Sequence, residues 1–285
     1  MSNTAYGTIE GTRPVGGRRL FSTSDEQRVG LLHGNTKASN ATFSTLRSHF
    51  TANVSNTWGD IALLLCYIIT GLLDSSSVYT WGSFVSMQTG NTIYLGAGLV
   101  APNEDNRWFR ALVSIAAFCL GSALFSRFHR YFGAKRRWVI AASYSIQLLF
   151  VIAAAVMVTI GPETGPKGPI TVWNVVPIGL IAFQSAGQAY MSRVLKYAGL
   201  TSVVLTSIYC DLFSDDNFFA APTTNAERNR RAAAAILLLT GAIFGGLFAH
   251  SSIGFMGAIW TAAVLKLGIV LAWCFWAAEH EGGGG

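Results

Sequence analysis

The sequence predicts an all-α integral membrane protein that crosses the bilayer several times. Hydrophobic residues make up 51% of the chain, charged residues make up only 12%, and the mean hydropathy is +0.41. Soluble domains carry about twice that charged fraction. The chain therefore has too little polar surface to enclose a core in water, and most of it must lie in lipid.

Eight apolar runs support this prediction. A helix needs about 20 predominantly apolar residues to cross the hydrocarbon, and in lipid only helices and closed barrels satisfy their own backbone hydrogen bonds. The runs are continuous and lack the alternation of barrel strands, so the predicted elements are helices. They lie at about 58–80, 82–101, 108–127, 138–160, 172–192, 199–213, 232–250 and 253–278.

Two tails flank these runs. Residues 1–56 are rich in Ser, Thr, Asn, Gly and Arg without helical or strand periodicity, which predicts a disordered basic tail. The start of the chain lacks the apolar run of a secretory signal, so the run near Trp58 is expected to act as an uncleaved insertion signal. The transmembrane helical domain is predicted over 57–280, followed by a flexible C-terminal tail, 281–285.

The distribution of basic residues predicts six crossings rather than eight. If all eight runs crossed with the basic tail inside, the Arg- and Lys-rich loop at 127–137 would lie outside, against the positive-inside rule. If runs two and six instead enter the membrane and return on the same side, every basic loop is cytoplasmic. The weakly charged stretch 161–169 then lies outside, and both termini are predicted to be cytoplasmic.

Runs two and six also have the composition of re-entrant segments or half-helices. Run two carries Gln88, Thr89, Gly90 and Asn91 at its centre, and run six is short and polar. Polar or non-helical backbone is tolerated at membrane depth only where protein or a water-filled cavity covers it. These two runs are therefore expected to face the interior of the bundle.

A faint internal similarity predicts an inverted repeat. Residues 87–90 (Met-Gln-Thr-Gly) correspond to 204–207 (Val-Leu-Thr-Ser), and Arg110 at the start of a small-residue helix corresponds to Arg231. With six crossings, the two halves have opposite orientations in the membrane. Inverted repeats with broken helices that meet near the midplane are a recurrent transporter architecture.

Several motifs resemble the YoaK-like family of multi-pass membrane proteins of unknown function. They are Gly-Leu-Leu-Asp at 71–74, Met-Gln-Thr-Gly-Asn at 87–91, and Gly-Gln-Ala at 187–189 followed by Arg193. The resemblance extends over about 58–278 and implies a multi-pass membrane protein without assigning a substrate. Ser207 stands where the family pattern leads us to expect Gly, which argues against close backbone approach there.

Asp74 and the Thr-Gly-Asn motif are the first candidates for a solute or ion pathway. A carboxylate in the bilayer costs a few kcal/mol, so Asp74 is expected to face a cavity or a partner unless it lies at the outer headgroups. Gly90 permits a break in the helix, while Thr89 and Asn91 offer hydrogen-bonding groups. The alternative for this motif is a helix contact in which Asn91 bonds a neighbouring helix.

The later runs supply further candidates. Gln184 and Gln188 share one helix face, and interhelical hydrogen bonding is the alternative to a pathway there. Lys266 lies deep in the last run and is expected to pair with Asp74 or Asp211. The predicted pathway comprises Asp74, Thr89, Gly90, Asn91, Gln188, Thr206, Asp211 and Lys266.

These features predict a membrane transporter or channel for an unidentified small solute, with proton coupling through Asp74 as a further hypothesis. Nucleic acid is excluded as a partner because the basic residues lie between apolar runs. The sequence carries none of the common enzyme, phosphate-loop or metal-binding motifs, and no cofactor is expected. A membrane-embedded enzyme and a non-transporting scaffold or sensor remain as alternatives, and the oligomeric state stays open.

Overall fold

A computed structural model describes residues 47–163 and 165–279 of the chain. Within these residues the secondary structure is helical, apart from two isolated β-bridges. Most of the predicted basic tail and the whole predicted C-terminal tail lie outside the described residues. The eight helices are α1 (Gly59–Trp81), α2 (Gln88–Val100), α3 (Arg107–Phe132), α4 (Arg137–Ile160), α5 (Val172–Val194), α6 (Thr206–Phe213), α7 (Ala226–Ala249) and α8 (Gly254–Cys274).

Five of these helices, α1, α3, α4, α7 and α8, are long and apolar enough to cross a membrane. This confirms an α-helical integral membrane protein. Helix α5 has 23 residues but is more polar and does not belong to the five. Helices α2 and α6, with 13 and 8 residues, are shorter than the roughly 20 residues that a crossing needs.

One end of the bundle, called here the basic end, gathers the starts of α1, α4 and α7 and the end of α8. Arg230 on α7 forms a salt bridge of 2.6 Å with Asp60 on α1. The extended residues 53–55 lie between the other two helices: the Val54 amide donates to Lys135 and the Ser55 amide donates to Ala277. Val54 is fully buried, so the last part of the predicted tail packs on the bundle.

Glycines bring the two halves of the chain into close contact. A Cβ added at Gly71 of α1 would lie 2.0 Å from the Leu238 oxygen of α7, and one at Gly241 of α7 would lie 2.1 Å from the Ile68 oxygen of α1. Helices α3 and α5 meet in the same way, since a Cβ at Gly121 would lie 2.5 Å from the Phe183 oxygen. Gly241 of α7 therefore serves packing within the chain, where α7 contacts α1 and α3 contacts α5.

Two interrupted stretches separate the long helices. The first broken segment, residues 82–100, enters the bundle from the end opposite the basic end and continues as α2. The second broken segment, residues 195–213, enters from the basic end and continues as α6. The tip of the first segment bonds Asp74, seven residues before the end of α1, and the tip of the second bonds Gln188, six residues before the end of α5. Each tip therefore lies roughly 10 Å from the end of the helix that precedes it.

Candidate functional site

Asp74 holds the tip of the first broken segment. Its Oδ1 atom accepts hydrogen bonds from the backbone amides of Val85 and Ser86, both at 2.8 Å. The side chain is 8% exposed. Because the chain leaves α1 at Gly82 and turns inward, these two amides lack helical partners, and the carboxylate satisfies both.

Asn91 ties the start of α2 to the preceding loop and to α3. Its Nδ2 group donates to the Phe84 oxygen at 2.8 Å and to Ser114 at 3.0 Å, while its Oδ1 accepts from the Phe84 amide at 3.0 Å. Gln88 also donates to Ser114, at 3.1 Å. The amide of fully buried Asn91 is therefore saturated with protein partners, in agreement with the interhelical alternative for this motif.

A lysine and two glutamines form a second buried cluster. Lys266 on α8 is fully buried, and its Nζ donates to the Oε1 atoms of Gln184 at 2.7 Å and of Gln188 at 2.8 Å. The predicted ion pair of Lys266 with Asp74 or Asp211 is wrong: the amide oxygens satisfy the ammonium, Asp74 bonds the first broken segment, and Asp211 is exposed on α6.

Gln188 carries this cluster to the second broken segment. Its Nε2 group donates to Thr70 at 2.9 Å and to Ser202 at 3.1 Å. Ser202 is fully buried and has a φ angle of 61°, in the left-handed region that non-glycine residues rarely adopt. The amide of Gln188 therefore bridges Lys266, α1 and a strained residue at the tip of the second segment.

A cavity of about 480 Å³ lies between the tips of the two broken segments and the facing sides of α3 and α5. We call it the intersegment cavity. Its volume falls within the range of small-molecule sites. Its lining residues are Ser86, Gln88, Thr89, Phe118, Ser122, Ser126, Ala186, Ala189, Tyr190, Arg193, Thr201, Val203 and Val204.

The predicted pathway residues fall into three groups around this cavity. Thr89 lines the cavity directly. Asp74, Gly90, Asn91, Gln188 and Lys266 lie behind the wall, where all but Gly90 are buried hydrogen-bonding residues. Gly90 packs against the Phe84 ring, where a Cβ would lie 2.6 Å from the nearest ring atom. Thr206 and Asp211 are exposed on α6, apart from the cavity lining.

Sequence reasoning missed most of the wall contributed by α3. Phe118, Ser122 and Ser126 all line the cavity and are spaced four residues apart. Residues at this spacing share one face of a helix. Ser122 and Ser126, four residues apart in the apolar middle and later part of this helix, were the available signal for a polar interior face.

Two buried arginines anchor the loops at opposite ends of the bundle. Arg110, near the start of α3, donates to the Trp81, Pro166 and Gly168 oxygens at 2.6–2.7 Å. Arg228, near the start of α7, bonds several backbone oxygens in the loop that precedes its helix. Such bonds satisfy a buried guanidinium without a carboxylate.

Arg228 thus makes the same kind of loop contacts as Arg110, while the pairing of Arg110 with Arg231 in an internal repeat stays a prediction. Arg231 instead approaches Asp215 at 3.4 Å in a partly exposed ion pair. Hydrogen bonds from the Asn217 amide and the Asn225 side chain lower the pKa of Asp215 below its ordinary value.

The described residues contain no group of three or more His, Cys, Asp or Glu side chains able to hold a metal ion. The four cysteines are free thiols within this part of the chain. The interior offers hydrogen-bonding chemistry: a largely apolar cavity whose walls carry several polar groups, supported from behind by a carboxylate on one side and by an ammonium and two amides on the other.

Comparison with known proteins yields one family. Residues 62–272 match the family described as Protein of unknown function (DUF1275). The match covers nearly all of the range over which the motifs predicted a family of unknown function, while the YoaK-like name stays a prediction. Neither a curated protein nor a solved structure matches the chain.

Proposed function

This chain belongs to the DUF1275 family of proteins of unknown function, and from its geometry we propose that it is a membrane transporter that carries a small polar solute through the intersegment cavity. The observation that carries the proposal is the position of the cavity, which is lined by the tips of both broken segments. Broken helices that meet inside a bundle are a recurrent way to build a transport site.

The proposed topology has six crossings and two re-entrant segments. Helix α5 is the sixth crossing, because its polar residues, including Gln184 and Gln188, face the bundle interior where lipid does not reach them. The broken segments then form an inverted pair that enters from opposite faces. The basic end is cytoplasmic under the positive-inside rule, which leaves both termini of the chain on the cytoplasmic side.

The wall residues and the residues behind them have different proposed roles. Thr89 contacts the solute directly, and Asp74 and Asn91 hold the first tip in place for it. Gln188 and Lys266 hold the second tip in the same way. Thr206 and Asp211 lie in the same broken segment but apart from the cavity wall, so their part in the pathway rests on the sequence pattern alone.

The proposal is tested by metabolite profiling inside and outside cells that express the wild type or Ser122→Trp at equal membrane levels. Ser122 lines the cavity, and the indole is expected to block it. Leu120→Trp is the matched control, because Leu120 lies on the same helix, is 56% exposed and does not line the cavity.

A solute that redistributes with the wild type and Leu120→Trp, but not with Ser122→Trp, would support transport and identify the solute. A metabolite that is chemically converted rather than moved would favour an embedded enzyme. Identical profiles for all three proteins would refute the proposal. Proton coupling is tested with the same solute, because uptake that ignores an imposed pH gradient in the wild type and in Asp74→Asn would remove that hypothesis.

A further inference from the structure

The wall of the intersegment cavity carries one sign of charge. Among the described residues that line it, Arg193 is the single charged side chain, and none is acidic. The other polar groups are the Gln88 amide and the hydroxyls of serine, threonine and tyrosine side chains. Rings of carboxylates are one common way in which membrane pathways select cations, and no carboxylate lines this cavity.

Arg193 has few partners of its own. Within the described residues, the one hydrogen bond of its side chain is donated by Nη1 to the backbone oxygen of Ala189, one helical turn earlier, at 3.3 Å. It takes part in none of the salt bridges between described residues, whereas Arg230 and Arg231 on α7 each pair with a carboxylate. Its side chain is exposed, so the guanidinium is free to meet a ligand in the cavity.

The geometry points to a small oxyanion as the occupant of the cavity, with the Arg193 guanidinium as its counter-charge. This inference rests on the proposed function and names the substrate class of the same site. The planar fork of guanidinium N–H groups matches the two oxygens of a carboxylate, phosphate or sulfate. The hydroxyls of Thr89, Ser122 and Thr201 on the facing walls supply further donors to such a group.

The surroundings strengthen this preference. The carboxylate of Asp74 does not line the cavity and is occupied by two backbone amides. Arg193 therefore faces no competing carboxylate across the cavity wall.

The oxyanion has two sources with the same chemistry: a free solute or the headgroup of a phospholipid. The cavity is partly open, and Arg193 lies in the last turn of α5 near the basic end. Both sources use the same guanidinium, so the experiment includes an arm for each.

The test measures the thermal unfolding midpoint of the purified full chain in neutral detergent at constant ionic strength. The free probes are lactate, succinate, inorganic phosphate and sulfate, compared with the uncharged lactamide and succinamide. The lipid probes are phosphatidylglycerol and phosphatidylcholine, added as mixed micelles. The variants are Arg193→Gln, Arg193→Lys and the matched control Arg130→Gln, which removes an exposed arginine near the basic end that does not line the cavity.

We expect at least one free anion to raise the midpoint while its neutral counterpart does not. Arg193→Gln should weaken the apparent affinity by about tenfold to a hundredfold, because a charge-assisted hydrogen bond is lost. Arg193→Lys should retain part of the effect and Arg130→Gln all of it. An Arg193-dependent shift with phosphatidylglycerol alone would support the same chemistry with a headgroup as its source.

Equal shifts with neutral and charged probes, no shift with any anion or anionic lipid, or shifts that survive in Arg193→Gln would each overturn the inference. These outcomes are separate from the fate of the proposed function. Transport of a neutral solute that Ser122→Trp blocks would keep the transporter and remove its anion selectivity. Anion binding that depends on Arg193, without redistribution of any solute, would remove transport and leave an anion-binding membrane protein.

Discussion

The two broken segments follow matching paths through the bundle, yet different chemistry holds each of them. Asp74 binds the tip of the first segment through the backbone amides of Val85 and Ser86. The tip of the second segment is bound through a relay of side chains, in which Lys266 bonds Gln188 and Gln188 bonds Ser202. A negative group supports one tip from behind, and a positive group supports the other.

This difference shows that a path inside a membrane can be kept while the groups that stabilise it change. Each segment needs partners for backbone and side-chain groups that lipid cannot satisfy. A carboxylate meets that need by accepting from backbone amides. An amide meets it by donating to hydroxyl and carbonyl oxygens, and it then needs a donor such as Lys266 for its own oxygen. Under the proposed inverted topology, such an exchange of supporting groups would leave only a faint similarity in sequence between the two halves.

The largest expected effect is on the sidedness of the two segments. Cysteines introduced at Asn103, after the first segment, and at Asn217, after the second, should react with a membrane-impermeant maleimide from opposite sides of intact spheroplasts or vesicles. The proposed inverted topology requires this all-or-none difference. The four native cysteines are first replaced by alanine or serine. As the control, each introduced cysteine is also labelled after detergent has opened the membrane, which shows that its thiol can react. Labelling of both positions from one side would break the inversion.

The next largest effect is expected on stability, at the contact between α1 and α7. Gly241→Ala places a methyl group 2.1 Å from the Ile68 oxygen, so α1 and α7 must separate. We expect a loss of more than about 3 kcal/mol, because overpacking against backbone leaves no side chain to move aside. Gly246→Ala is the matched control on the same helix, since its nearest neighbour is the Ser75 hydroxyl at 4.0 Å. Equal unfolding midpoints for the two variants would contradict the close contact.

Gly121→Ala extends this comparison to the other pair of helices. The added Cβ would lie 2.5 Å from the Phe183 oxygen, farther than in Gly241→Ala but still too close. A smaller loss than in Gly241→Ala is therefore expected. Wild-type stability in Gly121→Ala would show that α3 and α5 separate more easily than α1 and α7.

The sequence was sufficient to predict an all-helical chain with several helices of membrane length, because apolar length is a local signal, and the polar Thr-Gly-Asn motif marked the first interruption. It was not sufficient to predict which side chains meet. Lys266 bonds glutamines on α5 rather than a carboxylate, since the relative rotation of α5 and α8 decides what the ammonium faces. The position of Ser122 in the cavity wall could not be predicted for the same reason, because the packing between helices decides which face of α3 points inward.

Asp74→Ala is expected to release the first segment. The two backbone amides of Val85 and Ser86 lose their acceptor inside the bundle, at a cost of about 1–3 kcal/mol for each. Hydrogen exchange over 82–87 should accelerate, while exchange over 195–205 stays unchanged. Measurements on the full chain in nanodiscs would show whether the effect remains confined to the first segment.

Asp74→Asn separates the hydrogen bonds of this residue from its charge. The asparagine oxygen can accept from the same two amides, so exchange over 82–87 should stay close to that of the wild type. If Asp74→Asn released the segment as fully as Asp74→Ala, the negative charge itself would be essential. That outcome would mean that the charge strengthens the two hydrogen bonds that position the segment.

The smallest change in stability is expected for Lys266→Met. Methionine has nearly the same shape and removes a buried charge that has no carboxylate partner, which offsets part of the loss for the oxygens of Gln184 and Gln188. We expect a net change within about 2 kcal/mol, with faster hydrogen exchange over 195–205 because Gln188 is no longer held in place. Gln188→Leu should accelerate exchange there to a greater extent, since it removes the bond to Ser202 itself. If Lys266→Met instead unfolded the chain while Gln188→Leu left it intact, Lys266 would stabilise the bundle independently of the second segment, and the relay would not be what holds that tip.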